Sequence, residues 1–206
     1  MIADENVEPI LVSRLHRYGD WAAHCETVAR LVDAALPAGP LRGVEIGVGW
    51  GLSAMTLLQR LPRIVEHMMV DEWWTFPPTS PYFLSGDIGA TTSVEGAEKM
   101  REEAEWHTRF ASHRRRIVRM RSAEAALRVV DGTLDYAFVD GDHSEEGVHY
   151  DLIAWTPKLR PGGLLFGHDY HRFGVRAAVD RLAADRGWRI ETHPHDLWSR
   201  VVAPEA

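Results

Sequence analysis

Three glycines, Gly47, Gly49 and Gly51, follow Glu45 at alternate positions of the chain. A glycine has no Cβ atom and lets the backbone approach a ligand closely, and the helix that follows presents unpaired N–H groups at its first turn. The spacing differs from the Gly-x-Gly-x-x-Gly of dinucleotide-binding turns, and the acid Glu45 suits a ligand with a cationic amine. The segment, which runs on to Ser53, therefore predicts a nucleotide-like ligand, with a purely structural turn as the alternative.

A second candidate is Asp71, which ends the next hydrophobic segment. A carboxylate in this place can accept hydrogen bonds from both hydroxyl groups of a ribose. Alone it would be interpreted as an exposed turn residue, but beside the glycine-rich turn it favours a nucleoside site. Glu72 is the adjacent alternative for this role. Trp73 and Trp74 could line an adenosine pocket or belong to the core.

Two further polar groups follow hydrophobic segments: Asp140, Asp142 and His143 after one, and His168 with Asp169 after the next. If both segments are parallel strands, Asp140 and the His168-Asp169 pair lie at the same edge of the sheet. Carboxylates and an imidazole suit a divalent ion such as Mg²⁺ or Mn²⁺. Without an ion, neighbouring acids raise each other's pKa and one could act as a base. The alternative is that Asp142 caps the next helix and His143 packs against it.

The elements that position these residues alternate between predicted strands and amphipathic helices. The predicted strands cover residues 43–46, 64–70, 117–120, 134–139, 164–166, 188–192 and 197–202. The predicted helices cover residues 20–36, 52–61, 124–130 and 175–186, and two more begin at the caps Ser93 and Ser144. This order predicts an α/β fold with a mostly parallel sheet that helices cover on both faces.

We predict a single domain over residues 1–206. Residues 1–40 would form an N-terminal helical cap. Residues 73–92, rich in proline and glycine, would form a lid-like loop, since loops of this length are commonly lids or binding loops.

Composition and charge exclude several classes of protein. Hydrophobic residues make up 45% and charged residues 26%, as in ordinary globular proteins. The net charge of −7 argues against a nucleic-acid partner. No apolar run approaches the roughly 20 residues of a membrane span, and the N-terminus does not resemble a secretory signal. A single cysteine, Cys25, excludes an internal disulfide. We expect a cytoplasmic protein that binds neither nucleic acid nor a membrane.

Residues 44–51, Val-Glu-Ile-Gly-Val-Gly-Trp-Gly, resemble motif I of class I S-adenosylmethionine-dependent methyltransferases. The segments 138–148, 159–165 and 167–170 resemble more particularly the family that includes macrolide-sugar and aminocoumarin-sugar O-methyltransferases, with catechol O-methyltransferase as a more distant relative. The likeness extends from Arg42 to Val202. It implies a Rossmann-like class I methyltransferase fold, with a seven-stranded sheet in the order 3-2-1-4-5-7-6 and strand seven antiparallel.

The resemblance also implies the cofactor contacts. Gly47, Gly49 and Gly51 would contact the methionyl part of S-adenosylmethionine, and Asp71 its ribose. Relatives often carry an acid after strand three for the adenine amino group. In this chain Ser122 and backbone groups take that place, which is a departure from the family pattern.

In metal-dependent relatives, an acid after strand four and an acidic pair after strand five hold Mg²⁺. Asp140, His168 and Asp169 fall on those positions, and we also count Asp140 among the cofactor-binding residues. Asp142 resembles the general base proposed for the sugar methyltransferases, and His143 lies beside it. His168 departs from the family because an acid is more usual there, and its imidazole favours Mn²⁺, Fe²⁺ or Zn²⁺, or a site without metal.

The expected activity is methylation of a hydroxyl group on a small molecule or a sugar, with or without a divalent metal. Two alternatives are a regulatory or scaffold protein that binds S-adenosylmethionine without methyl transfer and a nicotinamide-dependent oxidoreductase, which the glycine spacing disfavours. A nucleic-acid methyltransferase is disfavoured by the acidic charge. The sequence leaves open the acceptor, sugar or phenolic, and whether copies of the chain form a homo-oligomer.

Overall fold

The computed structural model describes residues 21–80, 91–172 and 174–202, and over these ranges strands and helices alternate as expected. The strands are β1 Leu41–Ile46, β2 Ile64–Asp71, β3 Arg115–Arg119, β4 Leu134–Val139, β5 Leu159–Gly167, β6 Glu191–His193 and β7 Leu197–Val201. The helices are α1 Trp21–Ala35, α2 Leu52–Arg60, α3 Val94–His107, α4 Ser122–Ala126, α5 Glu145–Trp155 and α6 Val175–Arg186. Single 3₁₀ turns cover Arg109–Ala111 and Thr156–Lys158.

All of these strands form one sheet in the order β3-β2-β1-β4-β5-β7-β6. The neighbours from β3 to β5 pair in parallel, and β7 is antiparallel to both β5 and β6. The predicted fold class and strand order are confirmed. In the register, Ile46 pairs with Val70 and Val139, and Val139 pairs with Gly167. The carboxyl ends of four strands are therefore level, and the residues that follow them share one edge.

Two hydrophobic layers cover the sheet, one on each face. Every residue of β4 is buried, and from Tyr136 to Val139 its side chains alternate between the two layers. Trp155 of α5 is fully buried in the layer beneath α4, α5 and α6. On the other face, Phe138 and Phe166 stack with ring centroids 4.8 Å apart beneath α1 and α2. Each large side chain buried in this way contributes roughly 1.5–3 kcal/mol, so the strand ends have rigid support.

The predicted helix caps are present, whereas several element boundaries differ from prediction. The hydroxyl oxygens of Ser93 and Ser144 accept hydrogen bonds from the third residue of their helices, at 2.9 Å and 3.1 Å. Helix α5 ends at Trp155 instead of continuing towards Leu159, because Pro157 cannot donate a helical hydrogen bond and introduces a 3₁₀ turn.

The remaining boundaries shift by a few residues. Strand β3 begins two residues earlier than predicted, helix α4 begins at Ser122, β5 is longer and β6 is shorter. The predicted first helix corresponds to α1, although residues 1–20 of the proposed N-terminal cap lie outside the described ranges. In the parts of the chain that are described, no helix is both long and apolar enough to cross a membrane.

The predicted lid over residues 73–92 is described only at its two ends, since residues 81–90 lie outside the described ranges. The Trp73 backbone N–H donates to Asp71, and its side chain is 2% exposed and belongs to the core. Trp74 is 68% exposed. The Phe76 backbone N–H donates to the carbonyl of Thr91 at 2.7 Å, which joins the two ends of the segment. Whether the segment acts as a lid stays a prediction.

Candidate active site

A cavity of about 500 Å³ opens at the carboxyl edge of the sheet, a size typical of small-molecule sites. Its wall is formed by the glycine turn, the ends of β2 and β4, the start of α4 and the residues after β5. Ten predicted site residues line it: Gly47, Gly49, Ser53, Asp71, Ser122, Asp140, Asp142, His143, His168 and Asp169. Glu45 and Gly51 are not part of the wall as far as the described residues define it.

The glycine turn requires glycine for steric reasons. Gly47, Gly49 and Gly51 have φ of 82°, 52° and 74°, a left-handed region that other residues enter at a cost. A Cβ on Gly47 would overlap the backbone carbonyl of Asp140, and one on Gly51 would lie 2.8 Å from the Cα of Ala104 in α3. Gly47 thus allows the loops after β1 and β4 to touch, and Gly51 allows α3 to pack.

Asp71 holds the glycine turn in place. Its Oδ2 accepts hydrogen bonds from the backbone N–H groups of Val48, at 2.8 Å, and Gly49, at 2.9 Å, while its Oδ1 accepts one from Trp73 at 2.6 Å. Burial raises the pKa of Asp71, and these three hydrogen bonds oppose the rise. Both oxygens are thus engaged by backbone groups. Glu72, whose side chain is half exposed and lies 3.3 Å from Arg121, also lines the cavity.

Glu45 contacts Ser53, a residue of the cavity wall. Glu45 is fully buried; the Ser53 hydroxyl donates to its Oε1 at 2.5 Å, and Nε2 of His67 lies 3.2 Å from its Oε2. Nδ1 of His67 in turn lies 2.8 Å from the hydroxyl of Tyr136. Burial raises the pKa of Glu45, while His67 and Ser53 oppose the rise. Among the described residues Ser53 lines the cavity and Glu45 does not, so a direct contact of Glu45 with an amine stays a prediction.

Asp140, His143, His168 and Asp169 form one cluster, which we call the acid–histidine cluster. Nε2 of His143 lies 3.3 Å from Oδ1 of Asp140 and 3.2 Å from Oδ2 of Asp169. Nδ1 of His168 lies 3.6 Å from Oδ1 of Asp140 and 3.5 Å from Oδ1 of Asp169. Asp169 has a φ of 54°, in the left-handed region that aspartate enters more readily than most other non-glycine residues. The predicted convergence of the two strand ends is therefore observed.

Burial and charge act in opposite directions on this cluster. Burial raises the pKa of Asp140, but His168 and His143 outweigh it and hold that pKa well below the usual range. Burial lowers the pKa of His168, but Asp140 and Asp169 outweigh it and raise it to about 9. Burial raises the pKa of Asp169, and the neighbouring histidines only partly oppose this. Without a metal ion, the cluster near neutral pH therefore contains an ionised Asp140 beside a protonated His168.

Asp142 lies at the start of α5. Its Oδ1 accepts a hydrogen bond from the backbone N–H of Ser144 at 2.8 Å, and a Cβ on Gly147 would overlap its carboxylate. The cap of α5 is Ser144 and not Asp142, so Asp142 supports the capping residue, and it also lines the cavity. His143 does not merely pack against the helix, because its ring contacts the carboxylates of the acid–histidine cluster.

Sequence reasoning missed His24 of α1. This residue is 4% exposed, and its ring centroid lies 4.2 Å from that of His168. Its pKa is lowered to about 4, first by burial and then by the neighbouring His168. The available signal was a histidine three residues after Trp21 and next to Cys25, both assigned to the buried face of the first helix.

Asp151 of α5 was also missed. It is 6% exposed and lines the cavity beside Ser122, whose Oγ accepts a hydrogen bond from the indole N–H of Trp155 at 2.7 Å. Burial raises the pKa of Asp151 to about 6; a hydrogen bond from Ser122 opposes the rise and Asp142 adds to it. The signal was its place four residues before Trp155, on the buried face of the helix.

Within the described ranges, two groups of side chains are close enough to hold a metal ion. They are His24 with Asp140 and His168, and Asp140 with His143 and Asp169, in each case with ligand atoms within 4.8 Å of one another. Oδ1 of Asp169 is buried and makes no hydrogen bond to any described residue. A buried carboxylate oxygen without a hydrogen bond fits a cation ligand, since such groups are otherwise costly.

The sequence is similar to several known proteins. Residues 44–170 match a family model described as a methyltransferase domain. An uncharacterized protein of Sinorhizobium fredii is 28% identical over 80% of this chain, and the match spans 18% of that longer protein. A protein of Mycobacterium sp. named "Putative O-methyltransferase" is 29% identical over 74% of this chain and 69% of its own length.

A solved structure of a Corynebacterium glutamicum protein superposes with a TM-score of 0.65 at 16% sequence identity, covering 96% of this chain and 91% of that one. Because the identity is low, this likeness shows a shared fold alone. The family model, in contrast, covers more than half of the chain and contains both the glycine turn and the acid–histidine cluster. The predicted resemblance is therefore confirmed, and the chain belongs to this family of methyltransferase domains.

Proposed function

We propose that the chain transfers a methyl group from S-adenosylmethionine to a hydroxyl group of a small molecule or a sugar. One observation carries the proposal: the glycine turn and the acid–histidine cluster line the same cavity of about 500 Å³. The family match supports methyl transfer. The name of the Mycobacterium relative supports oxygen as the acceptor atom.

The glycine turn would receive the methionyl part of the cofactor. Gly47 and Gly49 bring backbone to the cavity wall, and Ser53 lies in the first turn of α2. The free N–H groups of a helix start favour a carboxylate. We therefore assign the cofactor's carboxylate to the start of α2, with Glu45 acting through Ser53.

The nucleoside would extend towards β2 and α4. Asp71 and Glu72 are the acids at the ribose position, and both line the cavity. Ser122 and Asp151 lie side by side where adenine would end. Asp151 thus offers, from α5, the acid that relatives often carry after strand three for the adenine amino group.

Methyl transfer needs alignment and the removal of one proton. The sulfonium methyl is already electrophilic, so the protein must place the acceptor oxygen in line with the breaking C–S bond. As the O–C bond forms, the hydroxyl proton passes to the Asp142–His143 pair, and S-adenosylhomocysteine leaves as a neutral thioether. Asp140 and Asp169 lie close enough to His143 to stabilise positive charge on its ring.

The family resemblance places a divalent ion at Asp140, His168 and Asp169. Among the described residues these three do not form one of the two groups whose ligand atoms all lie within 4.8 Å of one another, but each of those groups contains Asp140 and one of the other two. The buried, unbonded Oδ1 of Asp169 among the described residues fits such a role. An ion there would supply a Lewis acid that lowers the pKa of the acceptor hydroxyl. The imidazole of His168 favours a transition metal over Mg²⁺.

We expect Asp140→Ala to abolish turnover, while its affinity for S-adenosylhomocysteine stays within about tenfold of the wild-type affinity. Asp140 lies next to the proposed proton acceptor, and most of the cofactor contacts lie elsewhere in the cavity. Release of S-adenosylhomocysteine with a panel of sugar and phenolic acceptors reports turnover, and calorimetry with and without a chelator reports affinity.

Asp185→Ala, on the exposed face of α6, is the matched control. Equal loss of binding and turnover in Asp140→Ala would contradict the assigned role. Binding of the cofactor by the unchanged protein without product from any acceptor would favour a regulatory or scaffold protein.

A further inference from the structure

His24 occupies an unusual position for a histidine. It is 4% exposed, and neither ring nitrogen makes a hydrogen bond to any group in the described chain. A backbone group of His195 is near enough to affect its charge but lies outside hydrogen-bond geometry. An unsatisfied buried polar group costs roughly 1–3 kcal/mol, and buried polar groups in folded proteins nearly always have a partner. The buried ring of His24 therefore indicates a bound ligand that would contact one of its nitrogens.

The surroundings of His24 indicate what that ligand is. A ring nitrogen of His24, a carboxylate oxygen of Asp140 and a ring nitrogen of His168 lie within 4.8 Å of one another. Nδ1 of His168 and Oδ1 of Asp140 are 3.6 Å apart, too far for a good hydrogen bond. Two ligands of a tetrahedral ion with bonds of about 2.0–2.1 Å lie roughly 3.3–3.4 Å apart. The spacing suits two ligands of one ion.

We propose that His24, Asp140 and His168 bind a divalent transition-metal ion, with Zn²⁺ as the representative, and so attach helix α1 to the ends of β4 and β5. Two imidazoles and one carboxylate favour such ions over Mg²⁺, which prefers oxygen ligands. Three protein ligands leave a coordination position open towards the cavity. The proposal rests on the proposed function only in that Asp140 and His168 belong to the same site.

This set of ligands differs from the one that the family resemblance implies. Asp169 is replaced by His24, a residue from a helix that lies before the matched segment 44–170. Asp169 instead contacts His143 at 3.2 Å. The site would therefore couple metal binding to the docking of α1, which also contacts His168 through Trp21, with ring centroids 6.0 Å apart.

The test uses the full chain after treatment with a chelator. Calorimetric titration with Zn²⁺ gives the affinity, and the visible absorption of bound Co²⁺ reports the coordination geometry. We expect one ion per chain and a tetrahedral or five-coordinate Co²⁺ spectrum. His24→Phe, which keeps an apolar ring in the buried position, should weaken Zn²⁺ binding by about 100-fold or more. The exposed His113→Ala is the matched control and should bind as the unchanged protein does.

Asp169→Asn separates the two sets of ligands. If His24 is a ligand, Asp169→Asn retains Zn²⁺ binding within about tenfold, whereas His24→Phe loses it. The opposite result, or no Zn²⁺ and Co²⁺ binding by the unchanged protein, would overturn the proposal. Should His24→Phe fail to fold, His24→Gln with the Co²⁺ spectrum provides the same comparison.

Binding of S-adenosylhomocysteine by the metal-free protein is measured in parallel. Its loss alongside intact Zn²⁺ binding would count against the proposed function and leave the metal site standing. Intact S-adenosylhomocysteine binding without Zn²⁺ binding would overturn the metal site and leave the proposed function standing.

Discussion

The buried carboxyl of Asp151 makes stability depend on pH at the scale of one residue. Burial raises its pKa from 3.8 to about 6. A carboxyl whose pKa is raised in the folded state stabilises the fold only while protonated, so this contribution is complete below about pH 4 and is lost as the pH rises through 6. We expect Asp151→Asn to remove the loss and to be more stable than the unchanged protein at pH 8 by up to about 3 kcal/mol.

Urea unfolding of both proteins at several pH values between 4 and 8 measures this difference. The expected advantage of Asp151→Asn shrinks towards pH 4. Asp185→Asn, at an exposed position, should follow the unchanged protein at every pH. A pH-independent difference would mean that Asp151 is already ionised in the folded protein.

At the same scale, the sequence predicted residues at strand ends better than residues on helices. Asp140 and His168 follow buried segments, and the level ends of parallel strands bring such residues together. His24 and Asp151 lie on helices, where periodicity predicts that a position is buried but not which side chain it meets across the interface. Their roles depend on how α1 and α5 dock on the sheet, which single-residue patterns do not specify.

The turn between β1 and α2 is the element on which the proposed cofactor site depends. Gly47 and Gly49 both have positive φ, but their surroundings differ. A Cβ on Gly49 would find only Met100 Sδ, at 3.9 Å, whereas one on Gly47 would overlap the Asp140 backbone. We expect Gly49→Ala to cost about 1–2 kcal/mol, the usual penalty for a left-handed residue. Gly47→Ala should cost more than about 4 kcal/mol, because two strand ends must separate.

Chemical unfolding of the two variants gives these free energies, and calorimetry with S-adenosylhomocysteine shows whether the site survives. If Gly47→Ala does not fold while Gly49→Ala folds and binds S-adenosylhomocysteine, the two positions are still ranked. Equal costs for the two substitutions would show that φ alone, and not the contact with Asp140, decides which residue fits.

At the scale of elements, hydrophobic periodicity predicted the alternation of strands and helices. It predicted less well the residues at which each element begins and ends. Ser93 and Ser144 were correctly identified as caps because their hydroxyls act locally. The start of β3 at Arg115 was not predicted, because an arginine-rich strand at the sheet edge lacks the apolar pattern typical of buried strands. The hydrogen bonds that Asp71 accepts from the adjacent turn were not foreseen, and its predicted contact with a ribose stays a prediction.

For the whole molecule, the strand order came from the resemblance of motifs and not from periodicity, which predicts parallel strands but not their sequence across the sheet. The buried chain from Ser53 through Glu45 and His67 to Tyr136 was invisible in the sequence. Its members come from α2, β1, β2 and β4, so only the assembled sheet brings them within hydrogen-bond distance.

Ligand binding should raise the stability of the whole molecule, because the cavity wall draws on elements from α1 to the end of β5. A ligand that binds only the folded state at 100 times its dissociation constant adds about 2.7 kcal/mol. For a chain of 206 residues this corresponds to roughly 5–10 °C in Tm. We expect S-adenosylhomocysteine to produce this shift in a thermal unfolding experiment and NADH to produce none. A shift with NADH alone would mean that the glycine turn accommodates a pyrophosphate after all, against its spacing and the acid behind it.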